Sequence, residues 1–166
     1  PHELDAHIKN GTFRLAFVGM SNAGKSYRSR KLRDEAGFLW YEVDKEIENE
    51  LAIESINALS EWLGLPTSEG YAKREKKYLT LENKFTCKAS METNGKNLVF
   101  DTTGSVAQLE PETLKALKEN CLIVHLDVGE DSLARMIEKF FENPKPVAWG
   151  EYFKQREGET EDAALR

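Results

Sequence analysis

Residues 13–26 read FRLAFVGMSNAGKS, and the fold turns on how this stretch is read. The first six residues are almost continuously apolar, as expected for a strand buried on both faces of a parallel sheet. The last eight fit G-x-x-x-x-G-K-[ST], the Walker A pattern, with Gly19, Gly24, Lys25 and Ser26 at the fixed positions. The pattern is meaningful only where a strand runs into a loop that opens a helix, and both contexts are present. Backbone N–H groups of such a loop, together with a helix N-terminus, cradle phosphate oxygens; a side chain at the glycines would block the approach. The loop residues Gly19, Ser21, Asn22, Ala23, Gly24, Lys25, Ser26 and Tyr27 are therefore expected to bind a nucleotide, with Lys25 on the β- and γ-phosphates and Ser26 on Mg²⁺.

Outward from this loop, short apolar runs alternate with longer amphipathic ones. Strands are expected at 13–18, 38–43, 98–100 and 121–126, and helices at 25–35, 45–51, 55–63, 69–92, 111–118, 131–141 and 149–165. That βαβα rhythm predicts an α/β fold with helices on both faces of a parallel sheet. With 166 residues, 40% of them hydrophobic, the chain fits one domain spanning 1–166, since domains are typically about 100–150 residues.

The charge balance of 23 Lys and Arg against 29 Asp and Glu, net −6, implies no surface for nucleic acid. AKREKKYL, at 72–79, alternates in sign with Glu75 and Glu82 at helical spacing and reads as a solvated face. Cys87 and Cys121 form neither a disulfide framework nor a zinc motif. Without a long apolar run or a signal-like N-terminus, a soluble, cytoplasmic protein with no membrane partner is expected. Oligomeric state is left open.

Three further segments carry chemistry. FLWYEVDKEIE, at 38–48, ends a strand in Glu42 and Asp44, placed at the carboxyl edge where open α/β sheets bind ligands. Asp44 also suits the cap of the next helix, and the two roles are compatible. LVFDTTG, at 98–104, ends a strand in Asp101, the position from which a phosphate-loop enzyme orders magnesium through its water shell. Thr102, Thr103, Gly104 and Ser105 come next as a hydroxyl-rich loop facing the same crevice. Finally, basic residues Arg135, Lys139, Lys145 and Arg156 flank the break NPKP, which suggests a lid over about 135–155 that closes cations onto a transferring group. His125 reads as a strand residue with a satisfied ring, and Trp40, Tyr41, Phe140 and Phe141 as core.

With GMSNAGKS, YEVDKEIE and HLDVGEDSLAR in view, the chain resembles the shikimate kinases, small phosphate-loop kinases related to nucleoside monophosphate kinases. The resemblance covers most of the chain. It implies a three-layer fold with a parallel sheet in the order 2-3-1-4-5, the chain stopping at Arg166 before the last strand. It also implies ATP and Mg²⁺ as cofactors and γ-phosphate transfer to a hydroxyl of a small acceptor. Asp44 then grips that hydroxyl, Lys145 stands where the lid arginine falls, and Arg156 corresponds to an arginine for the acceptor's carboxylate. Lys25, Asp44, Asp101 and Arg135 form the catalytic set, with Thr102, Thr103, Gly104, Lys145 and Arg156 beside Asp44 on the acceptor.

Two departures stand out. The family's arginine on the acceptor-binding helix falls on Ala72, next to Lys73 and Arg74, and its glycine triplet becomes Thr102, Thr103 and Gly104. Together these changes cost a planar carboxylate several kcal/mol of recognition, the scale of charge-assisted pairs. The acceptor is therefore open, shikimate or another, and a catalytically weak or inactive domain binding nucleotide or metabolite as a regulatory signal is the alternative.

Overall fold

The structure is a computed structural model that describes residues 2–92 and 95–164; the terminal residues of the expected domain, Pro1 and Arg166, and the end of the last expected helix, Leu165, lie outside them. Among the described residues the chain runs α1 (His2–Lys9), β1 (Arg14–Val18), α2 (Lys25–Ala36), β2 (Leu39–Glu42), α3 (Val43–Leu51), α4 (Ile56–Leu63), α5 (Tyr71–Met91), β3 (Leu98–Asp101), α6 (Pro111–Asn120), β4 (Leu122–His125), α7 (Glu130–Glu142) and α8 (Glu161–Ala164). The sheet is four-stranded in the order β2-β3-β1-β4, and each neighbouring pair is parallel.

Alternation along the strands builds the three layers. Ala16, Leu98, Phe100 and Ile123 point into a core completed by Val43, Ile47, Leu59, Tyr78, Phe85 and Leu117 from the helices of one face. Leu15, Phe17, Val99 and Val124 point the other way, onto Phe38 and Leu32. Side chains of successive strand residues take opposite faces, so one short apolar run serves both cores.

Register then positions the site. Glu42 pairs with Asp101, and Asp101 with Phe17, two residues before Gly19. Three parallel strands thus end together, and the loops and helix leaving their carboxyl ends meet at one edge of the sheet.

Element boundaries depart from expectation in instructive ways. The second strand stops at Glu42 and Val43 already belongs to α3, so Asp44 lies in the first helical turn rather than in the strand. Ser55 caps α4, its hydroxyl accepting from the Ala58 N–H at 3.2 Å. The continuous helix expected over 149–165 is absent among the described residues: a single 3₁₀ turn at Gly150–Tyr152 gives way to extended backbone at Phe153, and α8 is one short turn. Gly150, in a left-handed conformation (φ 54°), starts that turn, and the run ends at Phe153. Among the described residues no helix is long and apolar enough to cross a membrane.

Candidate functional site

The loop between β1 and α2 is shaped for an anion. Gly19 (φ 143°) and Gly24 (φ 89°) adopt conformations that L side chains rarely reach, and a Cβ on Gly19 would stand 2.8 Å from the Leu126 carbonyl oxygen. Gly24 is the N-cap of α2, so the first N–H groups of that helix open onto the loop. Lys25 is nearly buried, and its ammonium donates to the carbonyls of Gly19 (2.6 Å) and Met20 (3.0 Å). Burial lowers its pKa, opposed by Asp44, Asp101 and Glu82.

Across the strand ends, Asp101 is buried and fixed from several sides. The Ser29 hydroxyl donates to one carboxylate oxygen and the Trp40 indole N–H to the other, at 3.3 Å. Ser26 lies close enough to favour its charged form as well. Burial raises the Asp101 pKa, and these three donors pull it back. Trp40 is itself held by the guanidiniums of Arg33 and Arg30, 5.0 and 5.8 Å from its ring centre. The indole is thus more than the core residue its sequence suggests.

Asp44 does not cap α3. Glu42 occupies the N-cap position without a side-chain bond, and the Asp44 carboxylate instead accepts the Tyr78 hydroxyl at 2.9 Å. Burial pushes its pKa up to about 6, against the pull of Tyr78 and Lys25. Glu42 is raised as well, by burial and then by Asp101 and Glu48.

These groups share one cavity of about 440 Å³. Of the residues the sequence assigns to the site, Ser21, Asn22, Gly24, Lys25, Ser26, Tyr27, Asp44, Asp101, Thr102, Gly104 and Lys145 line it. Gly19 and Ala23 contribute loop backbone without lining it. Thr103 turns away: its hydroxyl donates to Glu82. Arg135, on α7, and Arg156, past the 3₁₀ turn, are exposed and outside the lining. Arg156 donates its backbone N–H to the Glu159 carboxylate at 2.9 Å. His125, at the end of the edge strand β4, is exposed rather than enclosed.

The structure also adds residues that sequence reading missed. Glu82, read there as part of a solvated face, is fully buried and accepts from the Thr103 hydroxyl and from Ser105 Oγ, the latter at 2.8 Å. Burial drives its pKa to about 7, partly offset by those two bonds. Glu75, from the same stretch, accepts from the backbone N–H groups of Trp149 and Gly150, both at 2.8 Å. Glu48 is buried and paired with Lys45 at 2.7 Å. One signal was available: Tyr71 and Tyr78 recur seven residues apart on α5, marking its inward face, and Glu75 and Glu82 share their phase.

A left-handed glycine cradle, a lysine and a serine at its end, and an aspartate closing the neighbouring strand define the class of phosphate-loop kinases. Within that class, a shikimate kinase family profile matches residues 21–162. The chain belongs to the shikimate kinase family, whose members are ATP-dependent kinases. Among solved structures, shikimate kinase from Acinetobacter baumannii in complex with shikimate superposes with a TM-score of 0.62 at 20% identity, over 84% of this chain and 69% of that one. The enzyme from Aquifex aeolicus gives 0.56 at 20% identity, over 81% and 67% of the two chains. That from Bacteroides thetaiotaomicron gives 0.55 at 16%, over 89% and 72%. At such identities the likeness speaks to the fold. No curated protein matches the chain.

Proposed function

We propose that this chain is a magnesium- and ATP-dependent kinase that transfers the γ-phosphate to a hydroxyl of a small acceptor. The observation that carries the reading is that one 440 Å³ cavity is lined by Lys25, Ser26 and Asp101 together with Asp44. The donor set fits the nucleotide. Lys25 exchanges the Gly19 and Met20 carbonyls for phosphate oxygens, while the loop and the N-terminus of α2 offer N–H groups. Ser26 and Asp101 are the groups that would hold magnesium, which supplies charge neutralisation on the phosphate oxygens when bound.

Asp44 orients the acceptor hydroxyl and takes its proton as the hydroxyl oxygen bonds the γ-phosphorus and the bridging bond to ADP breaks, the electron pair leaving with ADP. A carboxylate with a pKa of about 6 suits a general base near neutral pH, and the Tyr78 hydroxyl holds it in place. Residues 135–155 serve as the lid of a single domain, bringing Lys145 to the transferring group, with Arg135 approaching on closure and Arg156 joining from just beyond it.

A second reading, a domain that binds nucleotide or metabolite as a signal, draws on the exposure of Arg135 and Arg156 outside the cavity. The deciding experiment is calorimetric titration with a magnesium-ATP analogue, then ATP turnover against a panel of hydroxylated acids, polyols and amino alcohols. Acceptor-dependent turnover that disappears in Asp44→Asn supports the kinase. Analogue binding without turnover across the panel supports the second reading.

A further inference from the structure

Glu82 is fully buried on α5, and the chemistry proposed above gives it no task. Among the described residues no lysine or arginine lies within ion-pair distance of it. Its partners are the hydroxyls of Thr103 and Ser105. A carboxylate enclosed without a cation costs stability that an apolar side chain of similar size does not, so packing alone does not account for it.

Those two hydroxyls flank Gly104 and wrap the loop after β3 around the carboxylate. The Ser105 amide donates to Thr103 Oγ1 at 3.2 Å, and the two hydroxyl oxygens are also 3.2 Å apart. With both flanking side chains turned to Glu82, Gly104 lines the cavity and lies against the phosphate loop. A Cβ there would stand 2.9 Å from Ser21 Oγ and 3.6 Å from the Ser21 amide nitrogen. Thr102 ties the start of the same loop to β1, its amide and hydroxyl both donating to the Phe17 carbonyl, at 3.2 and 3.0 Å. The loop is thus clamped between α5 and the strand and loop that form the phosphate cradle.

Four residues before Glu82, Tyr78 donates to Asp44, and Thr103 lies close to the same phenol. Residues so spaced share one helix face, so a single turn of α5 backs both Asp44 and the loop packed on the phosphate cradle. Phosphoryl transfer depends chiefly on holding donor and acceptor in place, which rewards such a shared support.

We propose, resting on the kinase reading above, that Glu82 is a positioning residue of the phosphoryl-transfer site. Acting through Thr103, Ser105 and Gly104, it holds the phosphate loop in its binding geometry from the helix that also holds Asp44.

The test replaces the network by apolar groups of similar shape, Glu82→Met with Thr103→Val and Ser105→Ala, in the full chain. Such an exchange is neutral or stabilising where packing is kept, so the melting temperature should stay at or above that of wild type. Calorimetry with magnesium and the β,γ-imido analogue of ATP should nevertheless show affinity about tenfold lower. Without ligand, the amides of residues 19–26 should exchange with deuterium faster than in wild type. Glu82→Gln, which keeps one acceptor oxygen, should recover part of the lost affinity. A loss below about threefold, or one that merely follows a lowered melting temperature, overturns the inference and leaves the kinase reading standing. If the triple variant does not fold, Glu82→Gln decides alone: a loss of about threefold or more at the wild-type melting temperature supports the inference, and a smaller one overturns it. A wild-type chain that does not bind the analogue removes the kinase reading and the inference with it.

Discussion

The two ends of the cavity are built on different principles. At the phosphate end the work is done by backbone: a loop in left-handed conformations, the open N-terminus of α2, and one lysine whose partners are carbonyls. At the acceptor end it is done by a side chain, Asp44, held from behind by Tyr78, while Thr103 and Ser105, behind the lining loop, bind Glu82; these groups come from different helices and loops. A backbone cradle tolerates sequence change everywhere except at its glycines and its lysine. A side-chain network can be re-specified one residue at a time, which is where this chain departs from the pattern of the family it resembles.

Removing the cation of the first end should produce the largest effect. Lys25→Ala is expected to weaken binding of a magnesium-ATP analogue by about a hundredfold or more, the loss of charge-assisted bonds to phosphate, with the circular dichroism spectrum unchanged. Unaltered affinity would break the comparison at its base. At the second end, Asp44→Asn should lower turnover by about a hundredfold with nucleotide affinity nearly preserved, as for a positioned general base. A parallel loss of nucleotide affinity would mean that the two ends are one unit.

Asp101 lies between them. Asp101→Asn is expected to reduce the apparent magnesium affinity by roughly tenfold, measured as the metal dependence of analogue binding, while metal-free binding changes little. Equal losses with and without metal would assign Asp101 to the loop instead.

The smallest expected effect is on pH dependence. The pKa of Asp44 rises from 3.8 to about 6 on folding, and that of Glu82 from 4.5 to about 7. The native state therefore holds more protons than the unfolded state across that window, so stability from these two groups is complete below about pH 4 and declines as pH rises toward 7. Denaturant melts of Glu82→Gln should lose the upper part of that slope. Turnover should move the opposite way, rising as Asp44 loses its proton near pH 6.

The phosphate end could be read from the sequence because its determinants are contiguous. A strand, a loop of fixed spacing and a helix start occupy 14 consecutive residues, and Asp101 announces itself as the charged end of an apolar run. Asp44 was found for the same reason, although its place in α3 was not. The acceptor end resisted because a glutamate on a lysine-rich helix looks the same whether it faces water or a buried threonine. Only packing of α5 against β3 and its loop distinguishes Glu82 from Lys76. The positions of Arg135 and Arg156 depend on how the last third of the chain folds, and within the helical pattern over 149–165 only Gly150 and Gly158 hinted that the helix would end at Phe153.

Glu75 bears one consequence for motion. Its carboxylate holds two successive amides, Trp149 and Gly150, directly after the lid's Pro-rich turn, and Tyr71 donates to the same oxygen. The far end of the lid is thereby riveted to the helix that carries Tyr78 and Glu82, while Lys145, four residues before Trp149, has no such anchor among the described residues. In hydrogen–deuterium exchange the amides of Trp149 and Gly150 should be protected together with the centre of α5, and that of Lys145 should exchange ahead of them. A pivot fixed on the acceptor helix also means that a ligand shifting α5 by a fraction of an ångström would be felt at the lid before any cation reached it.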